Sequence, residues 1–200
     1  MKIEKKLLII SFILVGLSFQ QRDKFVGKVI VEWLDDGRKM KLLKDFAYID
    51  PAGKTWKTPS GSVIDGASIP RPFWSLIGGP YEENYRRASV VHDFYCEKPY
   101  TEPCEDVHKM FYDACITEGV TEIKAKLMYF AILAGGPKWE LNANKMAGNK
   151  SKYTPIEVYT PQDKLEGIAK WIEQKNPTTE KIADTINQIS IVQVKNTIQN

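Results

Sequence analysis

Both histidines of this 200-residue chain, His92 and His108, and all three cysteines, Cys96, Cys104 and Cys115, fall within residues 63–120. Histidine titrates nearest neutrality, which makes it a general base or, when neutral, a metal ligand. His92 is followed directly by Asp93. On a helix, consecutive residues point about 100° apart, so the two do not readily bond each other, but both can reach a shared groove. Two histidines from facing helices plus a carboxylate make a workable set for a divalent metal such as zinc, with positions left open for water. His92, His108 and Asp93 are therefore the candidate metal ligands. A variant pairs His92 with Cys96, four residues on, as zinc ligands. The bland reading of the same residues is a histidine satisfied by a backbone carbonyl, with Asp93 at the surface.

A third carboxylate, Asp65, opens the run D-G-A-S-I-P-R-P-F-W (Asp65 to Trp74). Two prolines pre-set φ there, so the loop is expected to be stiff. A carboxylate at its mouth can orient a histidine, ligate a metal or bind substrate, and Ser68 can act as a nucleophile activated by His92. Asp-Gly and a serine before Ile-Pro are equally ordinary turn chemistry. The candidate catalytic set is His92, Asp93 and Asp65. Three cysteines allow at most one disulfide within the chain, Cys96 with Cys104 or Cys96 with Cys115, and spacing does not choose between them. The remaining thiol is expected to be a buried small hydrophobe.

These residues need helices to carry them and a sheet to hold the loop. From Phe25 to Ile64 the texture is β: Lys28 to Trp33 and Lys39 to Leu43 flank the turn Asp35-Asp36-Gly37 as a hairpin. Phe46 to Ile49 and Thr55 to Thr58 flank a second turn at Asp50 to Gly53. The expectation is one small antiparallel, largely meandering sheet. A helix over about Glu82 to Cys96 puts Ala88, Val91 and Tyr95 on one face, with His92 beside them. A second, Cys104 to Glu118, turns Val107, Met110, Phe111 and Ala114 inward, borders them with His108, and stops at Gly119. The short link predicts antiparallel packing, so the histidines can meet across the seam. Glu122 to Ala134 is apolar nearly all round and should be the central buried helix. Residues 142–152 read as an exposed loop. Two further helices follow, near Pro161 to Gln174 and after Pro177. The fold class is α+β, a small N-terminal antiparallel sheet packed on a bundle of about four helices.

The start reads as a signal peptide over residues 1–20, with a basic n-region and an apolar run, Leu7 to Phe19, shorter than the roughly 20 residues that span a bilayer. A periplasmic or secreted location is expected, with no membrane span after cleavage. Domain 25–140 would follow, then a polar loop and helical extension over 141–200. The whole chain has 28 basic and 25 acidic residues. Without its first 20 residues it is near neutral, which lacks the basic excess of a nucleic-acid binder.

The run Asp65 to Trp74, then V-V-H-D-F-Y (Val90 to Tyr95), V-H-K-M-F-Y-D-A (Val107 to Ala114), K-L-M-Y (Lys126 to Tyr129) and G-P-K-W (Gly136 to Trp139) resembles DUF1353, a phage-associated and bacterial family of unknown function. The resemblance implies Asp65, His92, Asp93 and His108 as the residues to watch; many members carry an aspartate at the position of His108. His92-Asp93-Phe94-Tyr95 is also locally similar to the His-Asp helix of secreted phospholipase A2, whose calcium loop and dense disulfides are missing here. Two functions stay open. One is a metal-dependent or His/Asp-based hydrolase acting on an envelope or extracellular substrate. The other is a non-catalytic, phage-derived structural or interaction module with a buried His/Asp network.

Overall fold

A computed structural model of the chain describes residues 24–66, 85–97, 99–142 and 152–193. The expected signal peptide, Ser68 and the proline-stiffened loop lie outside the described residues. The architecture is α+β, with small antiparallel sheets and, among the described residues, five helices.

The N-terminal strands are β1 (Lys24–Val26), β2 (Val31–Trp33), β3 (Met40–Leu42), β4 (Phe46–Ile49), β5 (Thr55–Thr58) and β6 (Val63–Ile64). They form two three-stranded sheets, ordered β1-β4-β5 and β2-β3-β6, where the sequence suggested one meander. Both expected hairpins are present, and each turn is fixed by an aspartate. Asp36 Oδ1 accepts from the amides of Arg38 and Lys39, at 3.0 and 2.8 Å. Asp50 accepts from Ala52 N and Lys54 N, and its second oxygen takes the Trp56 indole N–H at 2.9 Å. Such side-chain to backbone bonds are why Asp is favoured in turns. β6 pairs with β3, Ile64 opposite Met40, and this delivers Asp65 to the edge of the second sheet.

Two helices carry the histidines: α1 (Arg86–Cys96) and α2 (Cys104–Glu118). The expected inward residues Val107, Met110, Phe111 and Ala114 are all buried, as are Ala88 and Val91. α2 ends where its sequence predicts, with Gly119 at φ 97°, a left-handed position whose amide returns to Cys115 O and Ile116 O. Glu118, just before that stop, reaches the start of α1: it accepts from Arg87 N, Arg87 Nε and Ala88 N at 3.0, 3.1 and 3.0 Å. A carboxylate there satisfies orphan amides at the positive end of the helix. The end of α2 thus meets the beginning of α1, and the helices run antiparallel.

The third helix, α3 (Glu122–Gly135), is the buried centre, with residues 125–134 all buried. Lys126 sits inside it because its ammonium donates to Glu122 Oε1 and Asn176 Oδ1, at 2.5 and 2.6 Å. α4 (Gln162–Lys175) and α5 (Thr179–Ile189) both pack on α3. The sequence did not anticipate a third sheet, β7 (Lys138–Leu141), β8 (Tyr153–Tyr159) and β9 (Ile191–Gln193), in the order β7-β8-β9. β8 carries Pro155, a residue that weakens any strand signal because it has no N–H for the ladder. It nevertheless stands in register opposite Trp139.

Candidate metal centre

The antiparallel crossing of α1 and α2 brings the two histidines into contact. His92 Nε2 lies 3.1 Å from His108 Nδ1, and both residues have 0% exposure. The opposite nitrogen of His108, Nε2, lies 3.1 Å from Pro137 O. A carbonyl only accepts, so Nε2 carries the proton and Nδ1 presents a lone pair. His92 Nε2–H then donates to that lone pair. Cys96, one turn beyond His92, places Sγ 3.5 Å from His92 Nε2 and 3.7 Å from Nδ1. Cys104, one turn before His108, places Sγ 3.3 Å from His108 Nε2 and donates towards Pro137 O at 3.8 Å.

Donor atoms of His92, Cys96 and His108 all lie within 4.8 Å of one another. Ligand bonds of about 2.0–2.1 Å to nitrogen and 2.3 Å to sulfur put tetrahedral zinc ligands roughly 3.3 Å apart for N and N and 3.6 Å for N and S. The contacts here, 3.1 and 3.5 Å, are close to those edges. The carbonyl behind His108 is the kind of outer partner that fixes a ligating imidazole. The donor set of two imidazoles and a thiol suits zinc rather than calcium or magnesium.

The walls are dry. Phe111 lies against His92 with centroids 4.7 Å apart, and Trp139 against His108 at 5.7 Å. Trp139 is held by its indole bond to Glu102 O and by stacking on Tyr100 at 4.4 Å. Burial pushes His92 down to about 3 and His108 well below the usual histidine range, with the neighbouring His92 adding to the effect on His108. Both imidazoles are therefore neutral, as ligands must be. Burial likewise raises the thiols of Cys96 and Cys104, so both stay protonated until a metal displaces the proton.

Asp93 is not part of this cluster. One residue further round α1, its carboxyl faces Asp65 and Gly66 and borders a small cavity of about 30 Å3 lined also by Met40, Ile64 and Ser89. Helix geometry turns it away from the two histidines, which the sequence reading had grouped with it as metal ligands, and the third donor atom beside them is that of Cys96. Nor is Asp93 at the surface, as the bland reading had it: it is 3% exposed and neither oxygen makes a hydrogen bond of good geometry. Burial pushes its carboxyl well above the usual carboxylate range, Asp65 adds to this, and the amides of Gly66 and Asp65 oppose it.

Asp65 lies apart from the histidines as well. It pairs with Arg38 at 3.1 Å and lines a cleft of about 470 Å3 with Lys39, Phe94, Glu97 and Thr101. Neither histidine lines that cleft. All three cysteines are free, so neither proposed disulfide is formed; Cys115 is the buried small hydrophobe expected of a leftover thiol. Sequence reasoning missed Cys104, Glu118 and the Pro137 carbonyl. A signal existed for Cys104, because Cys104-x-x-x-His108 mirrors His92-x-x-x-Cys96.

The fold and this cluster define an α+β domain with a histidine–cysteine centre buried in its helical seam. Residues 40–132 match the family described as "Protein of unknown function (DUF1353)". Two relatives from Sinorhizobium fredii (strain NBRC 101917 / NGR234) are similar to it. Uncharacterized protein y4jT is 40% identical over 162 residues, covering 78% of this chain and 48% of the relative. Uncharacterized protein y4iH is 37% identical over 123 residues, 61% of this chain and 51% of the relative. The chain thus spans about half the length of the curated relatives it matches. No solved structure matches it.

Proposed function

We propose that the chain is a metal-stapled module, in which an ion of the zinc class held by His92, Cys96 and His108 fastens α1 to α2. The observation that carries this reading is the convergence of the three donor atoms within 4.8 Å. Three features support a structural role for the ion: both histidines have 0% exposure, aromatic rings close the seam, and the cleft of about 470 Å3 is lined by neither histidine. A buried zinc site contributes folding energy, whereas a catalytic one keeps a position open to water. The test is the metal content of purified protein, wild type beside His92→Ala and His108→Ala, with folding followed by circular dichroism. About one ion per chain, lost in both folded variants, is the expected result; no ion after zinc reconstitution leaves a bare hydrogen-bond network instead.

A second reading, hydrolysis of an envelope or extracellular polymer or lipid, is favoured by the cleft of about 470 Å3, where Asp65 and Glu97 stand beside Phe94 with Asp93 behind. It calls for an activity that Asp65→Asn abolishes while metal content is unchanged. Export of the chain, expected from residues 1–20, belongs to both readings and is checked by cell fractionation.

A further inference from the structure

Each helix of the seam presents the same pair of side chains in opposite order. α1 carries His92 and Cys96, and α2 carries Cys104 and His108. Residues four apart share a helix face one turn from each other. In both pairs the thiol lies beside Nε2 of its own histidine, at 3.5 Å on α1 and 3.3 Å on α2. Because the helices are antiparallel and linked through residues 97–103, Cys96 closes one helix where Cys104 opens the other. The pairs touch through Nε2 of His92 and Nδ1 of His108, and Cys104 rests on the Pro137 carbonyl.

We propose that Cys104 is the fourth ligand of the metal centre, so that two cysteines and two histidines from α1 and α2 close it completely. The inference rests on the metal-stapled reading above. It requires one movement: the ring of His108 turns so that Nε2, already beside Cys104, faces the ion instead of the Pro137 carbonyl. That exchange gives up two neutral hydrogen bonds, His108 Nε2–H to the Pro137 carbonyl and His92 Nε2–H to His108 Nδ1, and gains metal–nitrogen and metal–thiolate bonds. Each thiol gives its proton to solvent as the ion enters, so filling the site releases two protons. A four-ligand site leaves no position for water, and hydrolysis at His92 is then excluded by coordination.

The experiment uses cobalt(II) as a spectroscopic stand-in for zinc in the full chain, comparing wild type, Cys104→Ser and, as a control thiol outside the donor cluster, Cys115→Ala. Cobalt–thiolate charge-transfer absorption is expected to fall by about half in Cys104→Ser, with metal affinity reduced at least about 10-fold. Cys115→Ala should change neither. X-ray absorption of the zinc-loaded wild type, which needs no variant to fold, should count two sulfurs per ion. One sulfur per ion, or an unchanged spectrum and affinity in folded Cys104→Ser, overturns the fourth ligand and leaves the three-residue site standing. Failure of wild type to take up either metal overturns both.

Discussion

His92 and Asp93 are neighbours on α1 and about equally hidden, yet they have opposite surroundings. His92 looks across the seam to His108 and along its own helix to Cys96, and each of its polar atoms has a partner. Asp93 looks back to the N-terminal sheets, where Asp65 repels it and its oxygens have no hydrogen bond of good geometry. Roughly 100° of helix rotation separates a satisfied neutral site from an uncompensated acid. Adjacency in sequence had suggested one shared groove. The fold instead uses α1 as a partition, with donor atoms on one side and the stressed carboxyl on the other.

The comparison breaks most severely at the seam. His92→Ala or His108→Ala removes a fully buried ring and leaves its partner's nitrogen unbonded, for an expected loss of about 3 kcal/mol in urea unfolding of metal-free protein. Glu118→Ala loosens the start of α1 and so both of its faces, by about 1–2 kcal/mol, the range of a lost helix cap. Asp93→Asn should act in the other direction. Removing a carboxyl whose ionisation the fold opposes is expected to add on the order of 1 kcal/mol at pH 7, and the gain should vanish below pH 3.8, where the unfolded carboxyl is also protonated. Arg38→Ala, which breaks the exposed pair with Asp65, should cost less than about 0.5 kcal/mol.

Acid titration separates the two faces by sign. A histidine neutral in the fold and protonated in the unfolded chain contributes its full stability above pH 6.5 and loses it as pH falls towards about 3. Asp93, with its carboxyl pushed up, contributes fully below pH 3.8 and progressively less as pH rises through its elevated value. In metal-free protein, replacing His92 should therefore flatten the acid limb of the stability curve. Replacing Asp93 should lift the neutral limb. A single change that altered both limbs together would show that the faces are coupled.

Much of the helical half could be read from sequence because its signals are local. The inward stripe of α2, its stop at Gly119 and the buried α3 each depend on residues within a few turns. The meeting of His92 and His108 followed from a short link and two stripes. The departures came from pairings that sequence spacing does not encode. β7 and β8 join residues on either side of 142–152, and β9 returns from the far side of two helices. Glu118 caps a helix that begins about thirty residues earlier, and Pro137 sets a tautomer on His108 from beyond α3. Asp93 could not be placed from sequence because the sign of its environment depends on which loop backs onto α1.

The most direct test of the central claim is zinc stoichiometry of the purified, folded chain, measured with and without His92 and His108. About one ion per wild-type chain is expected, none in either folded variant, and a fall in Tm when a chelator removes the ion. A wild-type chain that stays empty after reconstitution, with its Tm indifferent to zinc and chelator, would contradict it.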